Sequence, residues 1–159
     1  MIRLAFMRFA AECFLAECQY MKNNNVKMAG LLQDAGHKNS YDFHCKVLIF
    51  AIRDKEGKRR IRRFCIDVET CGGTAEEICQ AHKISVDRVK SCVPDLKIIS
   101  ITGDSGGGGK MQGLFDRLVE LDVIDKEWGR FIRCLLHALN KCIENATKFT
   151  FGDQGLGKT

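Results

Sequence analysis

The chain has 159 residues, of which 45% are hydrophobic and 28% charged, and its formal net charge is +5. These values are ordinary for a folded globular domain and exclude disorder as a description of the whole chain. Nine cysteines, odd in number and scattered, argue against a disulfide framework or a zinc ribbon and favour reduced thiols in the cytosol or nucleus.

Residues 1–25 form the first predicted unit, an amphipathic helix. Charged side chains at Arg8, Glu12 and Glu17 interrupt the apolar run too often for a secretion signal. The apolar side of this helix is predicted to carry Ile2, Phe6, Phe9, Cys13 and Leu15. No stretch of the sequence is long enough to span a bilayer, so no membrane partner is expected.

Three strands follow, and short turns between them predict an antiparallel meander. The first is expected over residues 26–33, ending at Asp34, with a polar loop over residues 35–40. The second, over residues 45–52, is almost wholly apolar and rich in β-forming residues. A turn at residues 54–58 leads to the third, over residues 61–68.

Helices and strands alternate in the rest of the chain. Thr74 and Glu77 form a capping box at the start of a helix that ends before Pro94. An apolar central strand then stops at Asp104 and opens into four consecutive glycines. Further on, the pattern predicts a helix from about residue 114, a short strand near residues 131–135 and a helix over residues 137–146.

This order of elements predicts an α/β fold with a mixed five-stranded sheet, in which parallel strands adjoin the meander and helices flank the sheet. That is the ribonuclease H-like arrangement, expected over residues 26–150. Its first and fourth strands lie side by side. Asp34 and Asp104, about 70 residues apart in sequence, are therefore expected to meet at one edge of the sheet.

Two aspartates in such a position can bind divalent metal ions. Carboxylate oxygens are the ligands that Mg²⁺ and Mn²⁺ prefer, and a pair of such ions can hold a phosphodiester for cleavage or transfer. Asp42 is a rival for Asp34 in this role. A working site needs a third acid, for which Glu144 is the late candidate, although a plain surface carboxylate is the better explanation of Glu144.

A basic segment on the third strand gives the second candidate site. Positive side chains crowd here and suit a polyanion such as nucleic acid, but they also suit a solvated hairpin that must not pair edge to edge. The candidate nucleic-acid contacts are Arg59, Arg60, Arg62 and Arg63.

Two motifs resemble the central part of hAT-superfamily transposases, the hobo/Activator group. The first is ITGDSGGGGK at residues 101–110, which is similar to the family's threonine–aspartate strand end. The second is CLLHALN at residues 134–140, which is similar to its Cys-x-x-His-x-Leu-Asn helix start. The segment GTAEEI at residues 73–78 also resembles the family's helix after the third strand, and the resemblance covers about residues 26–150.

The resemblance implies a ribonuclease H-like fold and metal-dependent DNA cleavage and strand transfer in the nucleus. By position it implies that Asp34 and Asp104 bind Mg²⁺ or Mn²⁺, and that Cys134 and His137 lie beside the site. In this reading His137 contacts a phosphate, whereas without it a core-facing helix histidine would be expected. DNA is the implied partner, and a homo-oligomer is compatible with the resemblance.

In that family the third acid, a glutamate, lies beyond an inserted helical domain. Residues 151–159, a glycine-rich tail, are accordingly expected to begin this insertion, so that the chain is a transposase fragment that is inactive alone. The alternative is a non-catalytic ribonuclease H-like module that binds nucleic acid or protein.

Overall fold

A computed structural model of the protein describes residues 2–38, 41–70, 74–103 and 110–151. Helices and strands occur there in the order predicted from the sequence. The elements are α1 (Ile2–Asn23), β1 (Met28–Lys38), β2 (Tyr41–Arg53), β3 (Arg59–Thr70), α2 (Ala75–Cys92), β4 (Lys97–Gly103), α3 (Lys110–Glu120), β5 (Arg130–Arg133) and α4 (Leu135–Phe151).

The strands form one open mixed sheet with the order β3-β2-β1-β4-β5 within the described residues. β1, β2 and β3 are antiparallel neighbours, while β4 pairs parallel to β1 and β5 pairs parallel to β4. The predicted α/β class, the meander and the adjacency of the first and fourth strands are therefore confirmed. Helices flank this sheet.

The hairpin between β1 and β2 is longer than predicted. β1 does not end at Asp34 but continues to Lys38, and residues 35–38 of the expected loop pair with β2 from His44 to Tyr41. The prediction was wrong because an antiparallel ladder is held by backbone hydrogen bonds, which polar side chains do not prevent. As a result Asp34 lies inside a ladder, directly opposite Cys45.

The core lies on one face of the sheet, beneath α1, α2 and α3. Side chains alternate between the faces of a strand, so Leu31 of β1, Leu48 of β2 and Ile101 of β4 share this face and are 0–1% exposed. α2 contacts both α1 and α3, which completes one layer of helices. Leu118 of α3 and Met21 of α1 are buried in the same apolar cluster.

The capping box predicted for α2 is confirmed. Thr74 Oγ1 accepts a hydrogen bond from the backbone N–H of Glu77 at 3.3 Å, and the backbone N–H of Thr74 donates to Glu77 Oε2 at 3.2 Å. The two side chains thus satisfy N–H groups that a helix start leaves without partners.

The buried side of α1 differs from the prediction. Phe9, Cys13 and Leu15 are exposed, whereas Cys18 and Met21 are buried. The side chains of Ile2 and Phe6 lie outside the described residues. The helix was predicted correctly, but packing selects the side that faces β3, and hydrophobic residues on more than one side left that choice open.

The opposite face of the sheet carries apolar side chains that remain accessible. Ile61 and Val68 of β3 are 69% and 59% exposed. In α4, all the side chains that the structure describes are exposed, including Leu139 and Ile143. A ligand that approaches the sheet can therefore reach this face, which lies opposite to the core and is called the accessible face below.

Candidate functional site

The candidate metal site lies where β1 and β4 run side by side. The parallel ladder pairs Leu31 with Ile101 and Leu32 with Thr102. Asp34 follows Leu32 by two residues. The Asp34 side chain is exposed on the accessible face, whereas Leu31 lies on the core face. Asp104 comes directly after Gly103, the last residue of β4, and lies outside the described residues.

The end of β5 adjoins the end of β4. Thr102 pairs with Ile132, and the backbone N–H of Cys134 donates to the carbonyl oxygen of Gly103 at 3.2 Å. This hydrogen bond places Cys134, which is half-buried, beside the residue that precedes Asp104. His137 falls in the first turn of α4, and its side chain lies outside the described residues. The carboxyl ends of parallel strands are where open α/β sheets bind ligands.

The candidate third acid, Glu144, is exposed on α4 and accepts a hydrogen bond from Asn140 Nδ2 at 3.2 Å. Asp42, the rival of Asp34, pairs with His37 near the tip of the β1–β2 hairpin, and its side chain lies outside the description. Among the described side chains, no group of three histidine, cysteine or acidic residues is arranged to hold a metal ion. Of the predicted site residues Asp34, Asp104, Cys134 and His137, the structure describes the side chains of Asp34 and Cys134.

Two of the four candidate arginines form ion pairs within the fold. Arg60 Nε lies 2.8 Å from Asp54 Oδ2. Arg62 Nη2 lies 2.6 Å from Glu17 Oε1, and its guanidinium carbon lies 4.1 Å from the centre of the Tyr20 ring. The hydrogen bond from Arg62 to Glu17 raises the pKa of this guanidinium above its usual value. Both arginines thus have intramolecular acidic partners and lie on the core-facing side of β3.

The other two arginines lie on the accessible face. Arg59 and Arg63 alternate with Arg60 and Arg62 along β3, so their side chains leave the opposite side of the strand. Arg59 stands opposite Arg53, Arg63 stands opposite Ile49, and both Arg59 and Arg63 are exposed. The basic segment is therefore divided between two faces, and only one half shares a face with Asp34.

A buried lysine network was missed by the sequence analysis. Lys46 is 0% exposed. Its ammonium group contacts the Glu69 carboxylate and donates to the Ala81 carbonyl at 2.9 Å and to Ser85 Oγ at 3.0 Å. Ser85 Oγ lies 2.7 Å from Asp67 Oδ2. The one available signal was a lysine within the otherwise apolar run of β2. Such full hydrogen bonding is what allows a charge to be buried, and it points to a structural role.

His82 packs beside this network in α2 and is also 0% exposed. Nδ1 lies 2.7 Å from the Ile78 carbonyl oxygen and donates to it, while Nε2 has no hydrogen-bond partner among the described atoms. Burial, with smaller contributions from Lys46 and His44, lowers the pKa of His82 from 6.5 to about 4. His82 is therefore neutral near pH 7 and is a core histidine.

Comparison of the sequence with protein-family models and with curated proteins finds no match. Within the described part of the chain, no helix combines the length and apolar character needed to cross a membrane.

Proposed function

We propose that this chain carries a ribonuclease H-like core with the two-aspartate part of a metal-dependent phosphodiester site, as in hAT-like transposases. The observation that carries the proposal is the parallel pairing of β1 with β4, with Leu32 opposite Thr102. Asp34 and Asp104 each follow by two residues. Equal spacing from a paired position favours two carboxylates that approach each other across the ladder.

The chemistry of such a pair suits a phosphodiester substrate. Two divalent ions held by carboxylates neutralise phosphate charge and hold the attacking and leaving oxygens in line. In this proposal Asp34 and Asp104 supply oxygen ligands for Mg²⁺ or Mn²⁺. Cys134, tied to Gly103 by a backbone hydrogen bond, and His137 in the first turn of α4 flank the same strand ends.

Nucleic acid is the proposed substrate class, since the positive side chains of Arg59 and Arg63 share the accessible face with Asp34. Phosphate contacts of this kind position a nucleic acid without reading its sequence. A second candidate function is a non-catalytic nucleic-acid-binding module. The arginines on the accessible face favour it.

Binding of Mn²⁺ to the whole chain, followed by electron paramagnetic resonance, tests the proposal. Asp34→Asn and Asp104→Asn should each weaken Mn²⁺ binding by more than about tenfold, because each removes a charged ligand. Asp116→Asn is the matched control, since Asp116 is a surface acid on α3 that accepts a hydrogen bond from Gln112 at 2.8 Å. Unchanged Mn²⁺ binding in both site variants would overturn the proposal.

A plasmid-nicking assay with Mn²⁺ separates the two candidate functions. Nicking that is lost in Asp104→Asn supports the enzyme. DNA retention without nicking supports the binding module.

A further inference from the structure

Two thiols lie in contact on the accessible face of the sheet. Cys45 Sγ of β2 and Cys65 Sγ of β3 are 4.0 Å apart. Cys65 is exposed and Cys45 is partly exposed. Both leave the strands on the side opposite to the core, so no helix that packs on the core lies between them and solvent.

The strand pairing explains this contact. Val47 stands opposite Cys65 and Cys45 opposite Val68, so the two cysteines are diagonal neighbours on adjacent strands. The register shifts between Lys46 and Val47, and such a bulge bends and twists the strands locally. On a regular ladder, diagonal neighbours are within reach of long and aromatic side chains, so the contact between these two short side chains coincides with the bulge. A disulfide has a sulfur–sulfur bond of about 2.05 Å, so the two sulfurs must approach by about 2 Å, through side-chain rotation together with adjustment of the bulged backbone.

We propose that Cys45 and Cys65 are a reversible oxidation site, at which a hydroperoxide converts the two thiols to a disulfide. The inference rests on the geometry of these two side chains and does not depend on the proposed metal site. Hydrogen peroxide is the representative oxidant, and a dithiol is the reductant that restores the pair.

Cys65 is the more accessible sulfur and reacts first. Its thiolate attacks one peroxide oxygen, the O–O bond breaks, and the departing hydroxide takes up the thiol proton as water, leaving a sulfenic acid on Cys65. The Cys45 sulfur then attacks Sγ of Cys65, and the S–O bond breaks. Hydroxide leaves with the Cys45 proton as a second water. Two electrons pass from the thiols to the peroxide.

Another thiol pair provides an internal control. Cys18 of α1 hydrogen-bonds with Cys92 of α2, but Cys18 is 2% exposed. Burial, followed by the effect of Cys92, raises the pKa of Cys18 to about 12, so its thiolate is scarce at neutral pH. The pKa of Cys45 is also raised, by burial and by Cys65, so the two pairs differ in exposure: Cys65 is exposed, whereas Cys92 is partly exposed and Cys18 is buried. The second pair should therefore remain reduced under mild oxidation.

The test is peptide mapping of the whole chain after mild hydrogen peroxide treatment, with free thiols blocked before digestion. The folded protein should yield a linked Cys45–Cys65 peptide that a dithiol removes. The link should be absent from Cys45→Ser and from Cys65→Ser and retained in Cys18→Ser. Protein oxidised in denaturant should lose the preference for this pair, because the strands no longer hold the two sulfurs together.

Three results would overturn the proposal. One is a Cys65 that ends as a sulfinic acid in the folded wild-type protein with no link to Cys45. Another is a disulfide between Cys65 and a cysteine other than Cys45 that forms to the same extent in the wild type and in Cys45→Ser. The last is a Cys18–Cys92 link that forms before the Cys45–Cys65 link. Circular dichroism of each sample shows that the fold is retained.

Discussion

The ammonium group of Lys46 contacts the carboxylate of Glu69 between the sheet and α2, with the Lys46 side chain 0% and the Glu69 side chain 27% exposed. The two residues are on adjacent strands, and Lys46 also reaches the α2 backbone at Ala81. The buried Lys46 ammonium group therefore links β2 to β3 through Glu69 and to α2 through Ala81.

Removing the negative partner should destabilise the fold strongly. Glu69→Gln removes the carboxylate that the buried Lys46 ammonium contacts, and we expect a loss of about 3 kcal/mol in the free energy of unfolding. Lys46→Met should cost less, because it removes the buried charge and keeps a side chain of similar length. Urea denaturation of both variants measures these losses.

The double variant Lys46→Met/Glu69→Gln separates a charge effect from a packing effect. It should be more stable than Glu69→Gln alone, since the buried charge is then removed together with its carboxylate partner. A Glu69→Gln protein within about 0.5 kcal/mol of the wild type would show that the contact contributes little.

His82 should make the stability depend on pH between about 6.5 and 4, the ordinary and the folded-state pKa. In this window the unfolded chain binds a proton at His82 that the folded protein does not, so stability falls as the pH falls. A pKa unit is equivalent to about 1.4 kcal/mol, so the loss approaches about 3 kcal/mol by pH 4.

His82→Gln is the control, since it replaces the imidazole with a side chain that does not titrate. Urea denaturation at a series of pH values should show the wild type losing stability more steeply than this variant as the solution is acidified. The carboxylates are the same in both proteins, so the difference isolates His82. Parallel curves would contradict the prediction.

The arginines on the accessible face should dominate any binding of DNA. Arg59→Gln/Arg63→Gln is expected to weaken DNA retention and to reduce the slope of log affinity against log salt by about 2, one unit per lost phosphate contact. Fluorescence anisotropy at several salt concentrations measures that slope.

The control for Arg59→Gln/Arg63→Gln is the variant Arg60→Gln/Arg62→Gln, which loses the same number of charges from the other side of β3. Since Arg60 and Arg62 are paired with Asp54 and Glu17, we expect a slope close to that of the wild type. Equal slopes for both variants would show that the face of the strand does not matter and that only net charge acts.

The local features could be predicted because the sequence encodes them within a few residues. The apolar run of β2 and the Thr74–Glu77 capping box were both confirmed. The extension of β1 to Lys38 could not be predicted, because it depends on backbone pairing with β2 rather than on side-chain character. The same holds for the buried side of α1, which its packing partners select.

The order of strands and helices and the meander followed from hydrophobic periodicity and turn residues. The adjacency of the first and fourth strands was expected from the ribonuclease H-like arrangement that this order suggested. Only the tertiary structure decided which side chains share a surface. It divided the arginines of β3 between two faces, buried Lys46 and brought Cys45 into contact with Cys65. The physical reason is that strand register joins residues distant in sequence, and a shift of one residue moves every side chain to the other face.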